Sequence, residues 1–231
     1  MKTPVSVVVA FLLCTAAQAQ EGRSTAPVDI SDEPHHKVLF ENPEVRVFRL
    51  ELQPSEATVP HRHKHLYAYL SLHPLTIANE VRGRPPVIVS LEGGEVHTSK
   101  GGFTVAERNK SPEPADVIVI EALKVDGSGF ATPIGGFRFH DAALAKLFEF
   151  PMMRAYTMTI AAGGRTENHD EHYDRLVVAV SDVKLREDVT GQPSSEVLMK
   201  GGDVKWFPRE VSHATTNTGN SPATFITIEF E

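Results

Sequence analysis

The chain of 231 residues has a single cysteine, Cys14, and a single tryptophan, Trp206. One thiol excludes a disulfide within the chain and a cysteine metal site, so a bound metal would depend on histidine and carboxylate. The net charge is −7 and no run of Lys or Arg occurs, which argues against nucleic acid or an anionic membrane surface as partner. Beyond the first twenty residues no apolar run is long enough to cross a bilayer, so membrane insertion is not expected. Helical periodicity is also scarce.

One apolar run stands at the start. Lys2 precedes a nearly unbroken apolar stretch at 5–16, and Ala17-Gln18-Ala19 has the small-x-small form of a signal peptidase site. Residues 1–19 read as a signal peptide, too short for a span of about 20 apolar residues. The expectation is a periplasmic or secreted protein whose only cysteine leaves with the leader. Residues 20–36 read as a flexible leader, with His35 and His36 solvated.

What remains is rich in short runs of Val, Ile, Leu, Phe and Thr, separated by Gly, Pro, Asn and Asp. Segments 45–52, 66–72, 86–91 and 116–122 read as strands, as do 154–161, 176–183, 204–207 and 224–230. That spacing predicts an all-β sandwich or barrel. A short helix is expected at 141–147. One constant shift along the chain brings Phe40-Glu41 onto Phe148-Glu149, Arg46 onto Arg154 and His61 onto His169. The same shift brings Gly93-Gly94-Glu95-Val96 onto Gly201-Gly202-Asp203-Val204, and Asn109 onto Asn217. This register predicts an internal duplication, with units at 37–123 and 147–231 and a linker at 124–146.

The eleven histidines are informative where they cluster. Gly202, Pro208, His213 and Asn217 stand in the order and spacing of the second motif of the cupin superfamily, with Glu210 where that motif has glycine. Gly163 and His169 resemble the start of the first motif. Beyond them Glu171 occupies the second histidine position, His172 follows it, and Arg175 or Leu176 stands where the family has glutamate. On a regular strand Glu171 shares the face of His169, whereas a bulge would select His172. The metal set is therefore His169 and His213 with Glu171 or with His172. The first choice suits Fe or Mn, and both accept Zn. Arg175, if it points inward, could hold an anionic group of a substrate.

The first unit departs further. Ser55 replaces the opening glycine, while His61-Arg62-His63 keeps His-x-His and His65 adds a third imidazole. Tyr67 or Ala68 stands at the glutamate position, Lys100 replaces proline, and Val105 replaces the metal histidine. A weaker second site at His61, His63 and His65 follows, unless His97 reaches in as well. Asn109 and Asn217 read as turn residues, and Trp206 and Phe207 as packing residues.

The resemblance implies two tandem cupin-type double-stranded β-helix (jelly-roll) barrels, that is, a bicupin, with a divalent metal (Fe, Mn or Zn) in the C-terminal one. It implies a small-molecule ligand and, as is common in the family, a possible homodimer. One function class is a metal-dependent dioxygenase, decarboxylase, isomerase or lyase acting on a small anionic or oxygen-rich molecule, with Glu171 or Glu210 as candidate acid or base. The other is a non-catalytic module that binds or senses a small solute such as a sugar. Fold alone does not separate them.

Overall fold

The computed structural model describes residues 26–124, 126–209 and 211–231. The expected signal peptide with Cys14, and Glu210, lie outside the described residues. Within them the only helical element is a 3-10 turn at Ile30–Asp32, and the remaining regular structure is strand.

The N-terminal half holds β1 (Val28–Asp29), β2 (His36–Glu41), β3 (Val45–Leu52), β4 (His61–His63) and β5 (Tyr67–Ser71). It continues with β6 (Leu75–Glu80), β7 (Val87–Leu91), β8 (Val96–Ser99), β9 (Phe103–Asn109) and β10 (Ala115–Ala122). The C-terminal half holds β11 (Phe139–Glu149), β12 (Met153–Thr166), β13 (His169–Glu171), β14 (Asp174–Ala179) and β15 (Val183–Val189). It ends with β16 (Ser195–Met199), β17 (Val204–Phe207), β18 (Val211–Asn217) and β19 (Ala223–Phe230).

The sequence repeat carries through to the strands. Under the shift that takes His61 to His169, β4, β7, β8, β9 and β10 coincide end to end with β13, β16, β17, β18 and β19. The pairing repeats as well: β3-β10-β5-β8 is matched by β12-β19-β14-β17, and β4-β9-β6-β7 by β13-β18-β15-β16. In the second half the pair Arg165–Thr216 joins these two sets into one sheet, and in the first half the corresponding pair Ala57–Arg108 is an isolated bridge.

Alternation along the central strands decides where the cores lie. On β10, Val117 and Val119 face a core inside the N-terminal half, while Ile118 and Ile120 face a core shared with the C-terminal half. On β19, Phe225 faces the core of its own half, and Ile226 and Ile228 face the shared one. Strands covered on both faces read as continuous apolar runs, as these do. Each fully buried Val, Leu or Ile contributes roughly 1.5–3 kcal/mol of transfer free energy, so the shared core couples the halves strongly. Trp206 stacks on Phe40 at 5.7 Å and is part of that packing.

Two sequence expectations are corrected. The helix expected at 141–147 is strand β11, paired antiparallel with β12. Its alanines and lysine favour helix in isolation, but the open edge of β12 supplies a hydrogen-bonded partner, and tertiary pairing overrides a weak local preference. Residues 28–36 are not a solvated leader. Val28 and Asp29 pair with His61 and Arg62, Ile30 is buried in the N-terminal core, and His36 is 4% exposed.

Asn109 and Asn217 make the expected turn contacts and are also buried. Asn109 donates from Nδ2 to the carbonyls of Leu52 and Glu113 and accepts from the amide of Ser111. Asn217 donates to the carbonyls of Ile160 and Ser221 and accepts from Gly219. Each partner in one half is the counterpart, under the same shift, of a partner in the other. A buried carbonyl needs a donor, and in each half one asparagine serves two.

Candidate metal centres

In the N-terminal half the regular strand β4 turns His61 and His63 to the same buried face. Strand β9 runs antiparallel beside it with Val105 opposite His61, so the position of the motif histidine is apolar. Glu107, two residues further on β9, lies on the same face and brings Oε2 to 3.3 Å from His61 Nε2 and Oε1 to 3.8 Å from His63 Nε2. The start of β2 adds His36, whose ring lies 4.7 Å from that of His61. Ligand atoms of His36, His61 and Glu107 all lie within 4.8 Å of one another, and His63 Nε2 is 3.1 Å from His61 Nε2.

Outer contacts fix which ring nitrogens face inward. His36 Nδ1 lies 2.9 Å from the Glu33 carboxylate, and His61 Nδ1 lies 3.0 Å from the Val59 carbonyl. Both oxygens can only accept, so both Nδ1 atoms carry the proton and both Nε2 atoms offer lone pairs when the rings are neutral. His36 Nε2 is buried without a hydrogen-bond partner. Burial would raise the Glu107 carboxyl, but the hydrogen bond with His63 and the charges of His61 and His36 hold it at about 2. Ring nitrogens and a carboxylate thus converge on one point, an arrangement that can accommodate a cation. The set of three imidazoles and one carboxylate fits Fe, Mn or Zn.

The C-terminal half repeats the frame with different groups. On β13 the regular alternation puts Glu171 beside His169, and His172 lies exposed past the strand end. On β18, His213 stands directly opposite His169. Glu171 Oε1 lies 3.2 Å from His169 Nε2 and 3.3 Å from His213 Nε2. His213 Nδ1 donates to Glu187 at 2.6 Å, and Thr215 donates to the same carboxylate. Burial lowers the His213 imidazole, but its bonds to Glu171 and Glu187 outweigh that and raise it. Burial opposes ionisation of Glu171, yet the hydrogen bonds from His169 and His213 and the charge of Arg175 hold it at about 2.

Arg175 is buried inside this cluster. Its Nη1 lies 2.5 Å from Glu171 Oε1 and 3.3 Å from His213 Nε2. Ligand atoms of His169, Glu171 and His213 lie within 4.8 Å of one another, and the Arg175 cation is already seated among them. The guanidinium is engaged with Glu171 rather than turned toward free space.

Each cluster borders a cavity, and the two cavities are built from corresponding positions. Apart from His36 and Phe103, every residue lining the N-terminal cavity has a counterpart under the repeat shift in the lining of the C-terminal one. The exchanges decide the free space. Tyr67 and Ser99 on one side answer Arg175 and Phe207 on the other, and Leu50 and Val117 answer Met158 and Phe225. The C-terminal cavity measures about 50 Å³ and the N-terminal one about 160 Å³. A water needs roughly 10–15 Å³ on this measure, so the first holds only a few waters. In the lining of the smaller one Phe137 stacks on His169 at 4.0 Å.

Of the histidines singled out from sequence, His61 and His63 meet in one cluster and His169 and His213 in the other. His65 and His172 belong to neither, and His97 stacks on Tyr69 and pairs with Glu95. The sequence reading missed His36, Glu107 and the supporting Glu33 and Glu187. Glu107 carried a signal: it is two residues from Val105, the spacing that keeps a strand residue on the same face. His36 carried none, since its counterpart under the repeat shift is Leu144.

No protein-family model and no curated protein matches this sequence. Solved structures do resemble its fold. A cupin 2 conserved barrel domain protein from Leptotrichia buccalis is 13% identical with a TM-score of 0.54, over 85% of this chain and 88% of that one. Salicylate 1,2-dioxygenase from Pseudaminobacter salicylatoxidans is 12% identical with a TM-score of 0.59, over 81% of this chain and 71% of that one. An oxalate decarboxylase is 12% identical with a TM-score of 0.60, over 85% of this chain and 72% of that one. These neighbours are cupin-fold proteins, and at such identities the likeness is one of fold.

Proposed function

We propose that this chain is an exported bicupin, with barrels at 37–123 and 147–231, that binds one divalent metal and acts on a small molecule in the N-terminal cavity. The observation that carries the reading is the convergence of His36, His61, His63 and Glu107, with His36 Nε2 buried and unpartnered. The sequence placed the metal in the C-terminal half; Arg175, seated against Glu171 and His213, moves the proposal to the N-terminal one. The common register of strands, pairing and cavity linings supports two barrels. Export rests on the leader at 1–19, and a homodimer remains part of the proposal through the family resemblance.

His36, His61, His63 and Glu107 would hold the ion, with Glu33 and the Val59 carbonyl keeping two of the rings in the ligating tautomer. A bound metal of this kind supplies Lewis acidity or oxygen activation. The protein supplies the rest. Tyr67 stacks on His63 at 4.1 Å and fixes its plane. Leu50, Val89, Leu91 and Val119 make an apolar wall that excludes water, and Asn79 and Ser99 place polar groups for an oxygen-rich substrate. Dioxygenase and decarboxylase neighbours on this fold support an enzyme of that broad kind.

The test is elemental analysis of the mature protein from its native compartment. Fe, Mn or Zn at about one equivalent, lost in His61→Ala and in Glu107→Gln, supports the reading. Metal that survives both substitutions rejects it. Perturbation of the bound metal's spectrum by azide or a small organic acid would then distinguish an open, reactive site from a closed structural one.

A further inference from the structure

The two clusters share a frame, and one of the exchanges between them, Tyr67 for Arg175, brings in a permanent cation. In the C-terminal cluster His169 Nδ1 donates to the Glu167 carbonyl and His213 Nδ1 donates to Glu187, so both Nε2 atoms face Glu171 as lone pairs when neutral. Glu171 Oε1, at 3.2 and 3.3 Å from these nitrogens, is a buried carboxylate oxygen that calls for a positive group beside it. Arg175 provides it, through the hydrogen bonds of Nη1 to Glu171 and His213. At the corresponding position the N-terminal half has Tyr67, which brings no permanent charge.

The arginine is also confined. It is 6% exposed, its guanidinium carbon lies 5.6 Å from the centroid of the Phe207 ring, and its Nε is buried without a partner. The cavity that Arg175 lines is small, about 50 Å³, and leaves the guanidinium little space to swing away. Phe137, stacked on His169, lines the same cavity.

We infer that Arg175 is a built-in counter-ion that takes the place of a metal at His169, Glu171 and His213, making the C-terminal cluster metal-excluding and the folded chain a one-metal protein. A divalent ion bound to Glu171 would sit within a few ångströms of a permanently charged guanidinium, with both side chains buried. The cluster is thereby complete without an ion. The consequence for function is an asymmetric pair, in which one half can present a metal to a ligand and the other serves as its packed partner.

Metal exclusion by the C-terminal cluster stands apart from the N-terminal reading, whereas the count of one metal rests on it. Its test therefore removes the N-terminal ligands first. In the full mature chain carrying His61→Ala and His63→Ala, titration with Co²⁺ followed by its visible absorption should show no tight site. Adding Arg175→Gln should create one, with a gain in affinity on the order of a hundredfold or more, and adding His213→Ala should abolish it again. A tight site that depends on His213 while Arg175 is still present overturns the inference, and so does the absence of any gain in folded Arg175→Gln protein. If Arg175→Gln fails to fold, His213→Ala in the otherwise unaltered chain decides the matter by elemental analysis. Metal content unchanged supports the inference, and metal lost overturns it.

Discussion

Glu33 accepts the Nδ1 proton of His36 at 2.9 Å, and both side chains are fully buried. That contact decides which nitrogen of His36 faces the N-terminal cluster. Glu187 does the same for His213 in the other half, from a different strand and at 2.6 Å. The two halves thus aim an imidazole by the same physical device without using corresponding residues.

The first prediction follows from this contact. Glu33→Ala removes the carboxylate that orients His36, and metal affinity should fall by about 10–100-fold. Competition with a chromophoric chelator measures it. An affinity within about twofold of the unaltered protein would show that His36 needs no such support, or does not ligate.

A second concerns Glu121, which is 1% exposed and whose carboxylate oxygens have no hydrogen-bond partner. Burial raises its carboxyl from 4.5 to about 7. Between those values the folded state keeps a proton that the unfolded chain releases, so stability falls as pH rises through that window. The shift corresponds to a loss on the order of 3 kcal/mol by pH 8. Glu121→Gln should therefore melt higher than the unaltered metal-free protein at pH 8 and match it near pH 4. Equal melting temperatures at both pH values would contradict it.

The buried asparagines give a third. Asn217→Ala leaves the carbonyls of Ile160 and Ser221 without that donor, and Asn109→Ala does the same to Leu52 and Glu113. Each should cost about 2–4 kcal/mol in urea unfolding. Asp at either position should also destabilise, because a carboxylate cannot donate to the two carbonyls. A cost below about 0.5 kcal/mol would return both residues to the role of simple turn formers.

The fourth compares two equivalent backbone positions. Gly163 has φ 78° and Ser55 has φ 68°, both in the left-handed region. No atom lies within 4 Å of a Cβ added at Gly163, so Gly163→Ala should lose only the conformational cost of about 1–2 kcal/mol. Ser55→Gly relieves the same strain but loosens the unfolded chain, leaving a gain of about 0.5 kcal/mol. Thermal melts of the two variants check both signs.

Local order in the chain determined much of this protein. Alternation in segments such as 45–52 and 204–207 set the strands, because a side-chain period of two sorts faces without reference to anything distant. The shared register of glycines, arginines and asparagines revealed the duplication. His61 and His63, and His169 with Glu171, were legible as pairs because two residues apart on a strand share a face.

What tertiary structure alone decided was which distant groups complete each cluster. His36 enters because Val28 and Asp29 pair with β4 and carry the chain across the N-terminal core, a contact between segments far apart in sequence. Residues 141–147 became strand because β12 offered an edge, against their own preference. Whether Arg175 pointed to a substrate, to solvent or into the cluster depended on the space left by Phe207, Met158 and Phe225, which pack from three other strands. Sequence spacing sets the face on which a charge emerges; the packing of distant strands sets what that charge can reach.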